Sequence, residues 1–183
     1  MNRTSTKPLA VAATAALLLA GCTGTPPGAP ADKAANANLE GRSGSKVTGV
    51  VSFSTRGDRL FVDARVSGLT PGEHGFHVHE VGDCSAADAT SAKGHFNPAG
   101  KSHGHHGGAE RHAGDMPNLS ADAAGNASFA GELSLLTLGN DANGIVGRSV
   151  VIHADPDDYK SQPAGNSGKR VACGVIRAVT TGY

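Results

Sequence analysis

Hydrophobic and polar residues alternate along this chain with a period of two over several short stretches, the pattern of strands with one buried face. Ala35, Ala37 and Leu39 alternate with polar neighbours and predict a weakly marked first strand. Val47, Gly49, Val51 and Phe53 share one face of a second. After the turn Arg56-Gly57-Asp58, a third runs over 60–69 with Leu60, Val62, Ala64 and Val66 on one side. Thr70-Pro71-Gly72-Glu73 turns the chain into a strand at 75–80. Alternation returns over 127–135, and further strands are expected at 148–153 and 171–179. Two long stretches, 81–118 and 155–168, show no periodicity. Loops longer than about 12–15 residues are usually functional or disordered.

Composition supports an all-β reading. The 26 glycines, with Asp, Asn and Pro, punctuate short apolar runs, and helix-period patterns are scarce. Sixteen basic and 16 acidic residues give a formal net charge of zero. No basic stripe suits nucleic acid, and aromatics at 4% provide no stacking platform for single strands.

The N-terminus predicts export. Arg3 and Lys7 precede an apolar run over 9–20 that has the length of a secretory signal and is too short to span a bilayer. The run ends in Leu19-Ala20-Gly21-Cys22, which looks like a bacterial lipobox. The chain therefore divides into a signal peptide at 1–21, a lipidated Cys22 with a Pro/Gly-rich tether at 22–34, and one domain at 35–183. Lipid on Cys22 would anchor the protein to the extracytoplasmic face of the cell membrane. With Cys22 committed to lipid, Cys84 and Cys173 remain as one pair in a compartment where a disulfide persists.

Six of the nine histidines fall between His77 and His106. His77 and His79 are two apart on a strand, so both imidazoles leave the same face, a natural start for a copper site. His95, His103, His112 and Asp115 follow with spacing H-x7-H-x8-H-x2-D. Three imidazoles and one carboxylate fill a tetrahedral zinc shell, and such a shell orders a loop that has no sheet of its own. The other reading of this stretch is a solvated Gly/His tract that binds metal loosely. His105 and His106 fit that reading, and nothing in the sequence assigns them a metal.

Five segments in this order resemble the copper/zinc superoxide dismutases: Gly75-Phe76-His77-Val78-His79-Glu80, Gly94-His95-Phe96-Asn97-Pro98, Arg111-His112-Ala113-Gly114-Asp115, Val151-Ile152-His153, and 165–174 with Arg170 and Cys173. The resemblance implies a Greek-key β-sandwich or flattened barrel of about eight antiparallel strands with two long functional loops. It implies copper held by His77, His79, His95 and His153, and zinc held by His95, His103, His112 and Asp115, one of each metal per subunit. Asp157, with Asp158 as the neighbouring alternative, resembles the carboxylate that links a copper histidine to a zinc histidine. Cys84 and Cys173 resemble the family's disulfide, and Arg170 resembles the guanidinium beside the copper channel. Ala164 stands where many members carry Thr at the channel rim, and the loop from His153 to Arg170 is shorter than in animal members.

The implied reaction is disproportionation of superoxide to dioxygen and hydrogen peroxide, with His95 as a catalytic proton carrier and Arg170 drawing in the anion. The alternative is a non-enzymatic copper/zinc-binding module of the same fold. Members of the family occur singly and in pairs, so a monomer and a homodimer both fit.

Overall fold

Period-two alternation puts one row of side chains on each side of a strand, and a sheet with one apolar row must close on itself or find a partner. Here it closes. The computed structural model describes Met1 and residues 33–179; the expected signal peptide, Cys22 and the tether up to 32 lie outside the described residues. Among the described residues there are nine strands: β1 (Ala34–Gly41), β2 (Thr48–Arg56), β3 (Arg59–Ser67), β4 (Gly72–His74), β5 (Phe76–His79), β6 (Leu119–Ala121), β7 (Ala127–Leu133), β8 (Ser149–His153) and β9 (Arg170–Ala178). They run antiparallel in the order β4-β6-β7-β3-β2-β1-β9-β8-β5.

The two end strands of that order, β4 and β5, are neighbours in sequence, separated by Gly75 alone. One bent segment thus serves both margins of the sheet and nearly closes it into a barrel. Gly75 makes the bend: its N–H donates to Asp155 O and its carbonyl accepts from His153 N–H, both at 2.9 Å. A Cβ at this position would lie 2.7 Å from Ser167 Oγ, so no other residue fits without displacement. Counting β4 and β5 as one gives the expected eight strands. The passage from β3 to β4 skips β7 and β6, and that from β7 to β8 crosses to the far side of the sheet, as in a Greek key.

The core is the apolar row expected from the alternation. Ala35, Ala37 and Leu39 on β1, Val51 and Phe53 on β2, and Leu60, Val62, Ala64 and Val66 on β3 are all buried together. Two expected strands end two residues early, and one further strand, β6, is not expected from the sequence. The strand expected over 127–135 stops at Leu133, because Leu135 adopts a positive φ of 71° and turns outward, 48% exposed. The third strand stops at Ser67, where Leu69 N–H leaves the ladder for Gly125 O. β6 has only three residues, too few to show a period, and pairs with β4 from Gly72–Ala121 to His74–Leu119.

β5 and β8 are buried along their whole length, on both faces. Phe76, Val78, Val150 and Ile152 face the core. The outward residues are covered instead by the two long loops, 81–118 and 154–169. Val151 packs outward with Ala89, Ala92 and Cys173, and Cys84 joins them through the disulfide Cys84–Cys173, whose Cα atoms are 5.7 Å apart.

Candidate metal centre

His77 and His79 leave the outer face of β5, yet are 0% and 1% exposed. The loop over 81–118 covers them by returning to the free margin of β5 twice. Val78 N–H donates to Gly114 O at 3.0 Å, Phe96 N–H to Val78 O at 2.8 Å and Gly114 N–H to Phe96 O at 2.9 Å. These bonds set His95 opposite His79 and Asp115 opposite His77. Gly114 permits the approach, since a Cβ there would meet Val78 O at 2.3 Å. His153 ends β8, where the pairing with β9 slips: Ile152 faces Ala172 but His153 faces Arg170, leaving Val171 as a bulge. A bulge re-aims side chains beside it, here those of His153 and Arg170.

The structure therefore brings all seven expected ligand residues together, in two buried groups. His77, His79, His95 and His153 form one; His95, His103, His112 and Asp115 form the other. Within each, one donor atom per residue lies within 4.8 Å of the rest. His95 belongs to both, and its ring stacks on that of His77 at 3.9 Å.

Hydrogen bonds select which nitrogen each ring presents. His77 Nε2 is bonded to Asp157 Oδ2 at 2.8 Å and His103 Nε2 to Asp157 Oδ1 at 2.9 Å. His79 Nδ1 faces Lys93 O at 2.9 Å, and His153 Nδ1 faces Gly168 O at 3.3 Å. These contacts leave Nδ1 of His77 and His103 and Nε2 of His79 and His153 turned inward. His95 Nδ1 lies 2.9 Å from Asp115 Oδ1, which leaves Nε2 for the first group.

His77 Nδ1, His95 Nε2, His103 Nδ1 and His112 Nδ1 are buried without a hydrogen-bond partner. His103 Nδ1 and His112 Nδ1 lie only 3.1 and 3.4 Å from Asp115 oxygens, but off the hydrogen-bonding direction. A single orphaned polar atom costs about 1–3 kcal/mol, so four in one place require another partner. The donor sets fit metals: imidazoles alone on one side suit copper, and three imidazoles with a carboxylate suit zinc.

Burial also favours lone pairs over protons. Desolvation holds His79 and His153 well below the usual imidazole range, and His95 at about 4. His103 differs: desolvation pulls it down, but the carboxylates of Asp115 and Asp157 beside it outweigh this and raise it to about 9. Burial pushes the carboxyls of Asp115 and Asp157 up, and their imidazole partners more than reverse that, holding both far below the ordinary carboxylate range.

Asp157 thus bridges the two groups in the expected linking position. Asp158 is exposed and spends its oxygens on Lys160 and Ser161. Arg170 donates from its two terminal nitrogens to Ala89 O at 2.6 Å and Lys93 O at 2.7 Å. The Lys93 carbonyl is therefore shared with His79. Ala164 lines a cavity of about 180 Å³ with His153, Gln162, Asn166 and Ser167. His105 and His106 join neither group.

Sequence reasoning missed three supports. His74, 2% exposed, faces His153 O and Thr70 O, each at 2.8 Å, and so ties the bend of β4 and β5 to a candidate ligand. Asn118 clamps Asp157 by bonding both its N–H and its carbonyl at 3.0 Å. Gln162 does the same to His103, both bonds at 2.9 Å. His74 adjoins the Gly75 motif, which could have flagged it; Asn118 and Gln162 carry no such signal.

Comparisons with known proteins agree with this geometry. A family model described as copper/zinc superoxide dismutase (SODC) matches residues 47–176. The chain is 43% identical over 151 residues to Superoxide dismutase (Cu-Zn) 2 of Aquifex aeolicus (strain VF5), covering 80% of this chain and 88% of that one. It is 40% identical over 147 residues to Superoxide dismutase (Cu-Zn) 1 of the same organism, covering 78% and 86%. With the match spanning most of the described domain, the chain belongs to the copper/zinc superoxide dismutase family.

Proposed function

We propose that this protein disproportionates superoxide to dioxygen and hydrogen peroxide, two superoxide anions and two protons giving one of each product. Copper would be held by His77, His79, His95 and His153, and zinc by His95, His103, His112 and Asp115. The observation that carries this reading is His95, the one residue common to both buried groups. Bound there, copper supplies a one-electron Cu(II)/Cu(I) couple, and zinc, which has no redox chemistry, supplies fixed charge and order.

The protein's own residues do the rest. His95 holds a proton at Nε2 when that nitrogen is not a ligand and delivers it to the reduced anion, a general acid placed at the site. Asp157 fixes the orientation of His77 and His103 and enriches both rings as donors. Arg170 supplies a permanent positive charge near His153. Two of its five N–H groups are committed to loop carbonyls, which leaves others to meet a small anion. Metal analysis with a superoxide-consumption assay tests the reading. One copper and one zinc per chain with activity supports it, whereas bound metals without activity favour the metal-binding module. Activity unchanged in His95→Ala with copper still bound would remove His95 from the mechanism.

We further infer an exported, lipid-anchored protein. The supports are the basic and apolar run before Cys22 and the Cys84–Cys173 disulfide, which suits an oxidising compartment. Cys22→Ser should move the protein from the membrane fraction to the soluble one; retention in the membrane would rule out the lipid.

A further inference from the structure

The loop that carries His95, His103, His112 and Asp115 has two more histidines that neither group uses. His105 is exposed and His106 is half-buried. Their ring centroids are 4.0 Å apart, about as close as His77 and His95. Tyr159 packs against both rings, at 4.8 and 6.1 Å, and a turn closed by Gly108 N–H to His105 O at 2.7 Å holds the pair together. This is a set arrangement rather than a loose tract. His106 Nδ1 is shielded from solvent and has no hydrogen-bond partner. His105 engages Nδ1 in one bond, from Gly107 N–H at 3.1 Å, and its Nε2 makes none among the described residues.

His106 also lines a small, partly open cavity of about 40 Å³ whose wall includes Asp115. That is room for a water or an ion. The residues of the tetrad are only 3–8% exposed, so an ion from solvent needs a first contact outside it. Arg111 shares the cavity wall, but its guanidinium turns to Gly108 O at 2.6 Å and Ser134 Oγ at 2.7 Å.

We propose that His105 and His106 form a capture site for a divalent cation that prefers imidazole, zinc above all, and pass it through this cavity to the tetrad of His95, His103, His112 and Asp115. Two imidazoles hold such an ion only briefly, which is what a transfer step needs. The inference rests on the zinc reading of the tetrad.

A port lies on the path in both directions, so losing it slows uptake and release by the same factor and leaves the tetrad's affinity unchanged. The experiment uses metal-stripped protein with its disulfide intact. Zinc uptake is followed by stopped flow against a chromophoric zinc chelator, and release by excess chelator, in the parent, His105→Ala/His106→Ala and His105→Gln/His106→Gln. The Gln pair keeps size and polarity, so it answers even where the Ala pair disturbs the packing on Tyr159. Both rates should fall on the order of tenfold, within the one to three decades over which association varies among variants of one site. An unchanged uptake rate overturns the proposal. So does a weaker tetrad with unchanged uptake, which would mark the pair as structural. If the parent itself takes up no zinc at the tetrad, the capture site and the zinc ligand set fall together.

Discussion

Asp157 serves two rings with one carboxylate, Oδ2 for His77 and Oδ1 for His103. An amide in its place keeps one acceptor and turns a donor toward the other imidazole N–H. Asp157→Asn should therefore weaken metal binding roughly 10–100-fold, the usual effect of losing such a partner, in chelator competition; unchanged affinity would mean that the rings hold their orientation without it. The same residues set a pH profile for the metal-stripped domain. His95, His79 and His153 have folded pKa values below the ordinary 6.5, so the unfolded chain takes up their protons first. Their contribution is present above 6.5 and is lost as pH falls toward about 4, the value for His95. His103 runs the other way, full below 6.5 and lost as pH rises through about 9. Thermal midpoints of the stripped protein should fall on both sides of neutrality, and a midpoint that stays flat down to pH 4 would contradict the acid limb. The seven ligand candidates are legible in sequence through the family resemblance, which rests on short runs around glycines that have no room for a side chain, such as Gly75 and Gly114. His74, Asn118 and Gln162 are not, since they reach backbone atoms 79, 39 and 59 residues away, and spacing does not encode such contacts.

Among the elements, β9 joins the disulfide to the metal site. Cys173 lies within it, three residues after Arg170, whose guanidinium is held by Ala89 O and Lys93 O on the loop that begins near Cys84. The same loop is fastened to the other side by Arg42 Nε, which donates to Cys84 O at 2.8 Å. Cutting the bridge frees a closed loop with a sequence separation of 89, and chain entropy puts the loss at about 4–5 kcal/mol. Reduction, or Cys84→Ser/Cys173→Ser, should lower stability by that order in denaturant unfolding. It should also cost more activity than bound copper, because Arg170 loses its fixed acceptors before His77, His79 and His153 lose their strands. Equal loss of both would instead place the bridge's effect at the ligands. The strands themselves are readable from alternation wherever one face is wet, as in β3. Alternation does not show in β5 and β8, which are buried on both faces, nor does it reveal the Val171 bulge, which depends on pairing rather than on composition.

At the scale of the whole molecule, a barrel with its own core carries two loops with little regular structure. The barrel's apolar row from β1 to β3 owes nothing to metal. The loops are joined to each other chiefly through the site: Asp157 on one reaches His103 on the other, as does Gln162, and Asn118 reaches Asp157. The all-β class was open to sequence reasoning because alternation is local, and the Greek-key arrangement only through the family resemblance, whereas this cross-bracing depends on which loop residues meet. It separates two energies that a single unfolding curve would merge. Taking metal away removes the partner of four buried nitrogens, and the cost falls on the loops that supply them. Local opening then precedes global unfolding, because regions with few apolar contacts open at lower free energy than core strands. Hydrogen exchange followed by mass spectrometry should show 81–118 and 154–169 exchanging faster after chelation while β1, β2 and β3 keep their protection. Uniform acceleration over the chain would mean instead that metal and barrel form one cooperative unit.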